Sequence, residues 1–393
     1  MPSDPPEPLV LPSSAGGTSP GNTLATSQTV VAPGQAAAVR RVYRWPAVTL
    51  RSGYVLGAVF LFVLALEMLQ AGAGGVESFL TTFSVDGAAN LMGFGWLGAY
   101  LVASGSPVAI TSVTLFTEGV ISDIEAFAML NGARFGASFI VLLVGFFYYV
   151  YYFNKERSAT GIFIGVVALL TTFTMYAWVI PLGALTLHQG WFDSLQLSVP
   201  GAISGLLESV YGPLVDAADE RLRQPVMFVL GIGLLLASFA LFDRVLPNRR
   251  SASDGRMERI RDRLHHPLAM FLLGLVITAL TLSVAVSLTL LIPLAHKGYV
   301  RREEIIPYVM GANISTWLDT MVAGLLLDSP RAFTIVFTQM ALAAAVSLLI
   351  LLIAYNPYSR LILATTRRVT RSRWEFALFL SAIFLVPLAL FFA

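Results

Sequence analysis

Seven runs of about 20 mostly apolar residues dominate this sequence, and a run of that length is what an α-helix needs to cross a bilayer. They lie near residues 53–71, 126–153, 161–187, 225–246, 306–327, 332–355 and 375–393. Hydrophobic residues make up 56% of the chain and charged residues only 12%. These values exclude a soluble globular domain and predict an all-α integral membrane protein with many spans.

The parts of the chain outside the apolar runs carry little sign of chemistry. The chain has no cysteine, which excludes a disulfide framework and thiolate metal sites. Residues 1–45 are rich in Pro, Ser, Gly, Thr and Ala, without a basic segment followed by an apolar core. They therefore predict a disordered N-terminal tail and not a signal peptide.

The distribution of arginine predicts the orientation. Arg40, Arg41, Arg44 and Arg51 precede the first span, whereas residues 72–87 contain no Lys or Arg. The segments 243–266, with seven Arg against four acids, and 356–374, with five Arg and no acid, are also basic. By the positive-inside rule the N-terminus and both segments are cytoplasmic. The acidic segment 188–224 is predicted to be an extracytoplasmic linker, with an interfacial amphipathic helix after Pro200.

An internal repeat appears when the chain is compared with itself at an offset of 179 positions. The matched positions are Gly95 with Gly274, Ser104 with Ser283, Gly119 with Gly298, Glu125 with Glu304, and Gly132-Ala133 with Gly311-Ala312. Shared glycines predict that the same turns are made twice. The repeat divides the chain into repeat 1 (53–187), the linker (188–224), repeat 2 (225–355), and a basic loop with a C-terminal helix (356–393).

Charges at the paired positions predict that the two repeats have opposite orientations in the membrane. Glu118 pairs with Lys297, and Asp123 pairs with Arg302. A loop that avoids basic residues and an equivalent loop that gathers them are typical of an inverted-topology repeat.

Two apolar stretches, 88–117 and 267–295, are interrupted at related positions. In the first, Gly105 and Pro107 break the helical pattern, and such a break is tolerated only where protein or a water-filled cavity satisfies the freed backbone groups. Each stretch therefore predicts a re-entrant helical hairpin, with Ser104 and Ser106 near the first tip and Ser283 and Ser287 in the second segment. The alternative, that these hydroxyls bond to their own or a neighbouring helix, stays open.

The sequence GANISTWLD, residues 311–319, places polar residues inside the apolar run 306–327. On one continuous helix, Asn313, Thr316 and Thr320 share a face, with Ser315 and Asp319 beside them. This pattern favours a helix that lines a cavity. Amide and hydroxyl oxygens suit a hard cation such as sodium, and Asp319 adds charge or takes a proton. Two other interpretations of Asp319 stay open: it lies near the membrane surface, or it merely pairs with an arginine.

Arg134, in the sequence GARFGAS of residues 132–138, has two interpretations of equal weight. Its planar guanidinium is well matched to phosphate or sulfate. Alternatively it snorkels to the outer surface, because its helix begins nearby.

Together these features resemble the type II sodium/phosphate cotransporters and their bacterial relatives. Those proteins carry two inverted repeats, each with a QSSS-type motif in a re-entrant hairpin and a GANIGT-type helix about 30 residues later. Residues 311–316, GANIST, nearly match the second signature, and GARFGAS occupies the first position. The approach RIRDRLHHPLAMFLLGLVITAL, residues 259–280, is similar as well. The chain departs from the family at QSSS, where it has Ala103-Ser104-Gly105-Ser106 and Leu282-Ser283-Val284-Ala285.

The resemblance implies a secondary transporter in the bacterial inner or plasma membrane that couples phosphate to sodium by alternating access. The implied binding residues are Ser104, Ser106, Thr111, Arg134, Ser283, Ser287, Asn313, Ser315, Thr316 and Asp319, with sodium at Ser104, Ser283, Asn313 and Thr316. Partners are phosphate or a similar anion and the lipid bilayer. No nucleic-acid partner and no cofactor other than the sodium ion is expected.

Other functions stay open because both motif glutamines are absent. One is transport of a different ion or solute, and another is a non-transporting membrane sensor or scaffold. An intramembrane enzyme is the weakest alternative. Serine proteolysis needs a base beside the nucleophile, yet the four histidines, at 188, 265, 266 and 296, lie in loops or at span ends.

Overall fold

A computed structural model describes residues 45–152, 155–195, 197, 200–245, 266–296 and 299–393. Residues 51–393 form one compact unit, and of the unit that precedes it only residues 45–50 are described. The predicted disordered tail and most of the basic segment 243–266 lie outside the described residues.

The described chain is helical, and its helices are numbered here in order. They are α1 (Trp45–Thr82), α2 (Ala88–Val102), α3 (Ser106–Thr117), α4 (Asp123–Tyr152), α5 (Lys155–Gln189), α6 (Gly201–Asp219), α7 (Gln224–Val245), α8 (Pro267–Thr281), α9 (Val284–His296), α10 (Arg302–Ser315), α11 (Trp317–Leu326), α12 (Pro330–Leu349), a π-helical turn (Ile350–Ala354), α13 (Tyr355–Arg371) and α14 (Arg373–Phe391).

Within the described residues, six helical stretches are long and apolar enough to cross a bilayer. They are α1, α4, α5, α7, the continuous stretch from α12 to α13, and α14. Helices α2 and α3, the two arms of the first predicted hairpin, have 15 and 12 residues. At 1.5 Å per residue each is only about 20 Å long, too short to cross a hydrocarbon core of about 30 Å. The chain is an integral membrane protein that crosses the bilayer several times.

The prediction of one continuous helix over 306–327 is wrong. The segment is divided into α10 and α11, which meet at Thr316. The Thr316 hydroxyl lies 3.2 Å from the Asn313 carbonyl and accepts a hydrogen bond from Arg134. A side chain that bonds to its own backbone competes with the regular helical pattern, which gives a physical reason for the interruption.

The ends of the helices recur at the offset of 179 positions that the sequence predicted. Helices α2 and α8 begin and end at equivalent positions, and so do the starts of α4 and α10. After α2 and α8, the chain turns through a residue in the left-handed region, Ala103 (φ 53°) or Leu282 (φ 48°). Each repeat therefore contains a short helix, a tight turn at its tip, a second short helix and a longer segment.

Four of the matched glycines, two in each repeat, form the same helix contact. A Cβ added at any of them would overlap a carbonyl oxygen of the facing helix, so no larger residue allows the backbones to approach this closely. The glycine and carbonyl pairs are Gly95 with Met129, Gly132 with Met92, Gly274 with Tyr308, and Gly311 with Phe271. The second two pairs are the first two shifted by the same offset. Helix α2 therefore packs on α4 as α8 packs on α10.

The matched glutamates also have a shared structural role. The backbone N–H of Ser122 donates to Glu125 Oε2 over 2.7 Å, and that of Arg301 donates to Glu304 Oε2 over 2.8 Å. Each carboxylate thus satisfies a free donor at the start of α4 or α10, as in a capping box.

Related helices of the two repeats run antiparallel to each other. Gly57 of α1 lies beside Leu241 of α7, while Gly72 lies beside Phe228. The hairpins also cross over, since α9 packs against α4 and α3 packs against α11. The second short helix of each hairpin therefore contacts the longer segment that follows the other hairpin.

A proline in α10 is compensated by a tyrosine from another helix. Pro307 has no N–H to donate to the Glu303 carbonyl four residues earlier. The hydroxyl of Tyr355 donates to that carbonyl instead, over 2.9 Å. This bond ties the start of α13 to the start of α10.

The same device joins the C-terminal helix to the first hairpin. Pro387 leaves the Ile383 carbonyl of α14 without its helical donor, and the Tyr100 hydroxyl donates to it over 3.0 Å. The Asn90 amide donates to the Phe391 carbonyl over 3.2 Å. Helix α14 is therefore attached to α2 by polar bonds as well as by packing.

We expect Gly311→Ala to destabilise the fold and Gly233→Ala to leave it intact. The Gly311 methyl would overlap the α8 backbone, at a cost of about 1–3 kcal/mol, whereas Gly233 has nothing within 4 Å of its added Cβ. Alanine at that helical position is favoured over glycine by up to about 1 kcal/mol. Thermal unfolding of both variants in detergent checks this, and equal melting temperatures would contradict it.

Candidate functional site

The tips of the two hairpins meet at a small cavity of about 30 Å³. Both tips contribute to its wall, together with side chains of α4 and of the break between α10 and α11. The polar residues that line it are Ser104, Ser106, Arg134, Ser283 and Thr316. Half of the ten residues predicted for the site are therefore brought together here.

The first tip forms as its sequence predicts. Past the left-handed Ala103, the N–H of Ser104 donates to the Ala99 carbonyl over 3.2 Å, which closes the end of α2. Pro107 lies in the first turn of α3, where a missing N–H costs little. Ser104 thus sits in the turn, and Ser106 begins the second arm.

The second tip forms without glycine or proline. Leu282 takes the left-handed conformation, and the Ser283 hydroxyl accepts a hydrogen bond from the Val286 N–H over 3.3 Å. Serine is a favoured residue for this kind of helix start. Pro293 lies within α9, away from this tip.

A larger cavity of about 230 Å³ adjoins the tips on the side of α7. Ser104, Ser106 and Ser283 line it as well, and α7 contributes Phe239 and Asp243. The tip serines therefore stand between a cavity close to the size of one water molecule, about 30 Å³, and one with room for a polyatomic ion.

Arg134 is buried at the centre of the site, with only 4% of its surface exposed. Its Nη1 donates to Thr316 Oγ1, its Cζ lies 5.3 Å from the centre of the Trp317 ring, and its Nε has no hydrogen-bond partner. The cation–π contact holds the guanidinium plane. The side chain does not reach the protein surface, so the structure does not support the snorkelling interpretation.

Asp319 is buried beside this cavity, on the first turn of α11. Its Oδ1 accepts hydrogen bonds from the N–H and the hydroxyl of Thr320, over 2.6 and 3.0 Å, and its Oδ2 has no partner. The Ser106 hydroxyl and the Arg134 guanidinium act electrostatically on the carboxylate, without a direct ion pair to Arg134 among the described contacts. Asp319 also lines a separate, mostly apolar cavity of about 230 Å³ that reaches Leu282.

The other four predicted residues are buried but do not line the cavity at the tips. Ser287 belongs to a cluster of hydroxyls with Thr278, at 2.6 Å, and Tyr308, at 2.8 Å. Ser315 lies 3.4 Å from the Gly311 carbonyl of its own helix. The hydroxyls of these two residues therefore bond to their own or a neighbouring helix, which is the alternative that the sequence left open.

Asn313 and Thr111 each keep an unsatisfied polar atom. Asn313 Nδ2 donates to Thr172 Oγ1 over 3.0 Å, while its Oδ1 has no partner, and neither does Thr111 Oγ1. Buried polar atoms are usually paired, so each of these oxygens is able to accept a further hydrogen bond.

Sequence reasoning missed a set of buried polar residues that surrounds Arg134. Ser138 Oγ lies 3.0 Å from Thr172 Oγ1, the Trp317 Nε1–H donates to the Tyr176 hydroxyl over 3.1 Å, and the amides of Asn131 and Gln339 are paired. Their signal was present in the sequence, since Thr172 and Gln339 interrupt apolar spans just as Asn313 does.

Comparison with known proteins gives one match. A family profile described as Na+/Pi-cotransporter matches residues 247–386, a region that includes α8 to α13 and most of α14. No curated protein matches the chain, and no solved structure matches it. The match covers less than half of the chain, and it shows that this region is similar to the Na+/Pi-cotransporter family. Within the described residues there is no cluster of three or more His, Asp or Glu that would hold a metal ion.

We expect the charges of Arg134 and Asp319 to be energetically coupled. Removing either charge leaves the other buried and less compensated, which costs up to about 3–5 kcal/mol in directly paired cases. The double variant Arg134→Gln/Asp319→Asn should therefore be less destabilised than the sum of the effects of the two single variants. A double-mutant cycle of unfolding free energies should give a coupling of about 1 kcal/mol or more.

The matched control for this cycle is the exposed ion pair of Arg368 and Glu375, 3.4 Å apart. Its coupling should stay below about 1 kcal/mol, because solvent screens surface pairs. Additive effects at Arg134 and Asp319 would show that the two groups act independently.

Proposed function

We propose that the chain is a symporter that couples inorganic phosphate to sodium, with two inverted repeats that alternate access to one central site. The observation that carries the proposal is the meeting of Ser104 and Ser283, which are equivalent in the repeat, on one cavity beside a buried arginine. Repeat-related interrupted helices that meet inside the bilayer are where secondary transporters hold their substrates.

The anion site is assigned to Arg134 and the tip hydroxyls. The guanidinium is planar, always charged and rich in donors, and such groups bind the oxygens of phosphate in pairs. Its Nε is free of protein partners, and the hydroxyls of Ser104, Ser106 and Ser283 add donors at the same cavity. A buried cation without a direct counter-ion favours an anionic substrate at this position.

The sodium ion is assigned to the oxygen atoms around the break in the second repeat. Sodium is a hard cation that prefers hydroxyl, amide and carboxylate oxygens. Thr316 and Ser283 provide hydroxyls, while Asn313 Oδ1 and Asp319 Oδ2 are buried and lack partners. Occupation by a cation would satisfy both orphan oxygens and offset the charge of phosphate on Arg134.

The geometry also indicates what must move. At about 30 Å³ the cavity between the tips is close to the size of one water molecule, so phosphate enters only when the tips separate. The adjoining cavity of about 230 Å³ shares the same serines and offers the space. Antiparallel related helices, such as α1 and α7, support an inverted relation in which the same motion opens the site to either side.

Uptake of radiolabelled phosphate into proteoliposomes, with a sodium gradient and with potassium in its place, tests the proposal. We expect uptake that depends on sodium, and we expect Ser104→Ala/Ser283→Ala to reduce it at least tenfold, since each variant removes a donor at the shared cavity. A tenfold loss corresponds to about 1.4 kcal/mol.

The matched control is Thr117→Ala/Thr289→Ala, which removes one hydroxyl from the second arm of each hairpin. These hydroxyls bond to carbonyls of their own helices, at 3.0 and 2.6 Å, so uptake should be unchanged. Absence of sodium-dependent phosphate uptake by the folded wild-type protein would overturn the proposal. Uptake of sulfate in its place would assign the site to a different anion, and a protein that binds without transporting would be a sensor.

A further inference from the structure

A cavity of about 820 Å³ lies away from the hairpin tips, at the junction of α5, α10, α13 and α14. Four arginines line it: Arg302, Arg367, Arg371 and Arg373. No carboxylate is among the described residues of its wall, and Arg368, which pairs with Glu375, does not line it. We call this space the basic cavity.

Four like charges around one space repel each other unless an anion lies between them. All four side chains are exposed, so water and salt screen part of this repulsion. An anion in the basic cavity removes this repulsion and accepts several guanidinium hydrogen bonds. The wall also contains Ser372 and Arg373, which form the N-cap and the first residue of α14, a helix end that favours negative charge. The basic cavity is therefore built to hold an anion.

Most of the rest of the wall is apolar, and this feature favours an amphiphilic anion. Ile162, Phe163 and Phe376 line the cavity beside the arginines, and the Arg302 guanidinium lies 4.7 Å from the centre of the Phe163 ring. The volume exceeds that of twenty water molecules at about 30 Å³ each, so a free phosphate ion would leave most of it empty. A glycerophosphate headgroup with the start of its acyl chains matches both the size and the mixed wall.

The position of the cavity agrees with a lipid of one leaflet. Thr160, at the start of α5, lines the cavity, whereas Leu187, near the other end of α5, lies beside Arg331. At 1.5 Å per residue these two ends are about 40 Å apart, so they lie on opposite sides of a bilayer. Arg331 is paired with Asp123 and Asp193, so the acidic cluster and the basic cavity mark different faces, and the basic face is the cytoplasmic one by the positive-inside rule.

We propose that the basic cavity binds the phosphate group of an anionic phospholipid from the cytoplasmic leaflet. Basic pockets between helices on this side of a membrane bind such headgroups. The lipid would bridge α10 to α13 and α14, and α10 is already joined to α13 by the bond from Tyr355 to the Glu303 carbonyl. This site does not depend on the transport proposal, because it shares no residue with the cavity at the tips.

Native mass spectrometry of the full chain in neutral detergent tests the site, with titration of phosphatidylglycerol and of phosphatidylcholine. We expect retention of phosphatidylglycerol, and an affinity about 30-fold lower for Arg367→Gln/Arg371→Gln, from about fivefold per arginine near an anionic surface. Both side chains are exposed, so folding should survive. The control Arg221→Gln/Arg223→Gln removes two exposed charges from the loop between α6 and α7 and should keep full affinity.

A second measurement separates a lipid from a free ion. Phosphatidylglycerol should raise the melting temperature of the wild-type protein but not that of Arg367→Gln/Arg371→Gln, and inorganic phosphate at millimolar concentration should produce no shift that depends on this pair. A shift with inorganic phosphate equal to that with the lipid would overturn the lipid assignment. Equal lipid affinity in the wild-type protein and in Arg367→Gln/Arg371→Gln would overturn the site.

Discussion

A bilayer interior offers no water to a backbone group that has lost its helical partner, and each such group costs several kcal/mol unless the protein itself satisfies it. Every interruption in this chain is arranged around that constraint. At the first tip a turn bond closes α2, at the second the Ser283 hydroxyl caps α9, and at Pro307 a tyrosine from α13 supplies the missing donor. Glycines then let each short helix lie directly on its longer neighbour, with the two backbones in contact. Broken helices are tolerated here because side chains and turns form hydrogen bonds with backbone groups that have lost their helical partners.

The same constraint explains why polar residues collect at one place. Beside the tips, a charge whose transfer into lipid would cost too much free energy is surrounded by hydroxyls, amides and aromatic rings. The Arg134 guanidinium, next to Thr316 and Trp317, is an example. Among the unsatisfied atoms that remain, Arg134 Nε belongs to a residue that lines the cavity between the tips, and Asp319 Oδ2 to one that lines a cavity reaching Leu282. Opposite charges near each other without direct contact suit a site that takes up an anion and a cation together, because each ligand then meets a complementary group. The electrostatic design and the transport proposal thus rest on one enclosed polar region.

Much of this arrangement was readable from the sequence, for physical reasons that can be named. The repeat could be predicted because its marker residues have physical roles. Glycine is needed where two helix backbones touch, and glutamate accepts a hydrogen bond from a free N–H at a helix start. Both requirements occur in each copy. The first tip could be predicted from Gly105 and Pro107, whereas the second could not be located, since Leu282 adopts a left-handed conformation that its side chain disfavours. Nor could a helical wheel reveal the break at Thr316, which depends on Arg134 from a distant helix. The partners of Asn313 and Ser287 likewise required the tertiary packing.

Helix α14 has a consequence for how evenly the two halves can work. It is hydrogen-bonded to α2 through Tyr100 and Asn90, so the first hairpin is attached to an additional helix. The equivalent helix of the second hairpin is α8. It has an exposed apolar face, formed by Leu272, Val276 and Leu280, which are 49–68% exposed. Any movement of the first hairpin would therefore carry α14 with it, whereas the described contacts of α8 include no comparable bond to α14.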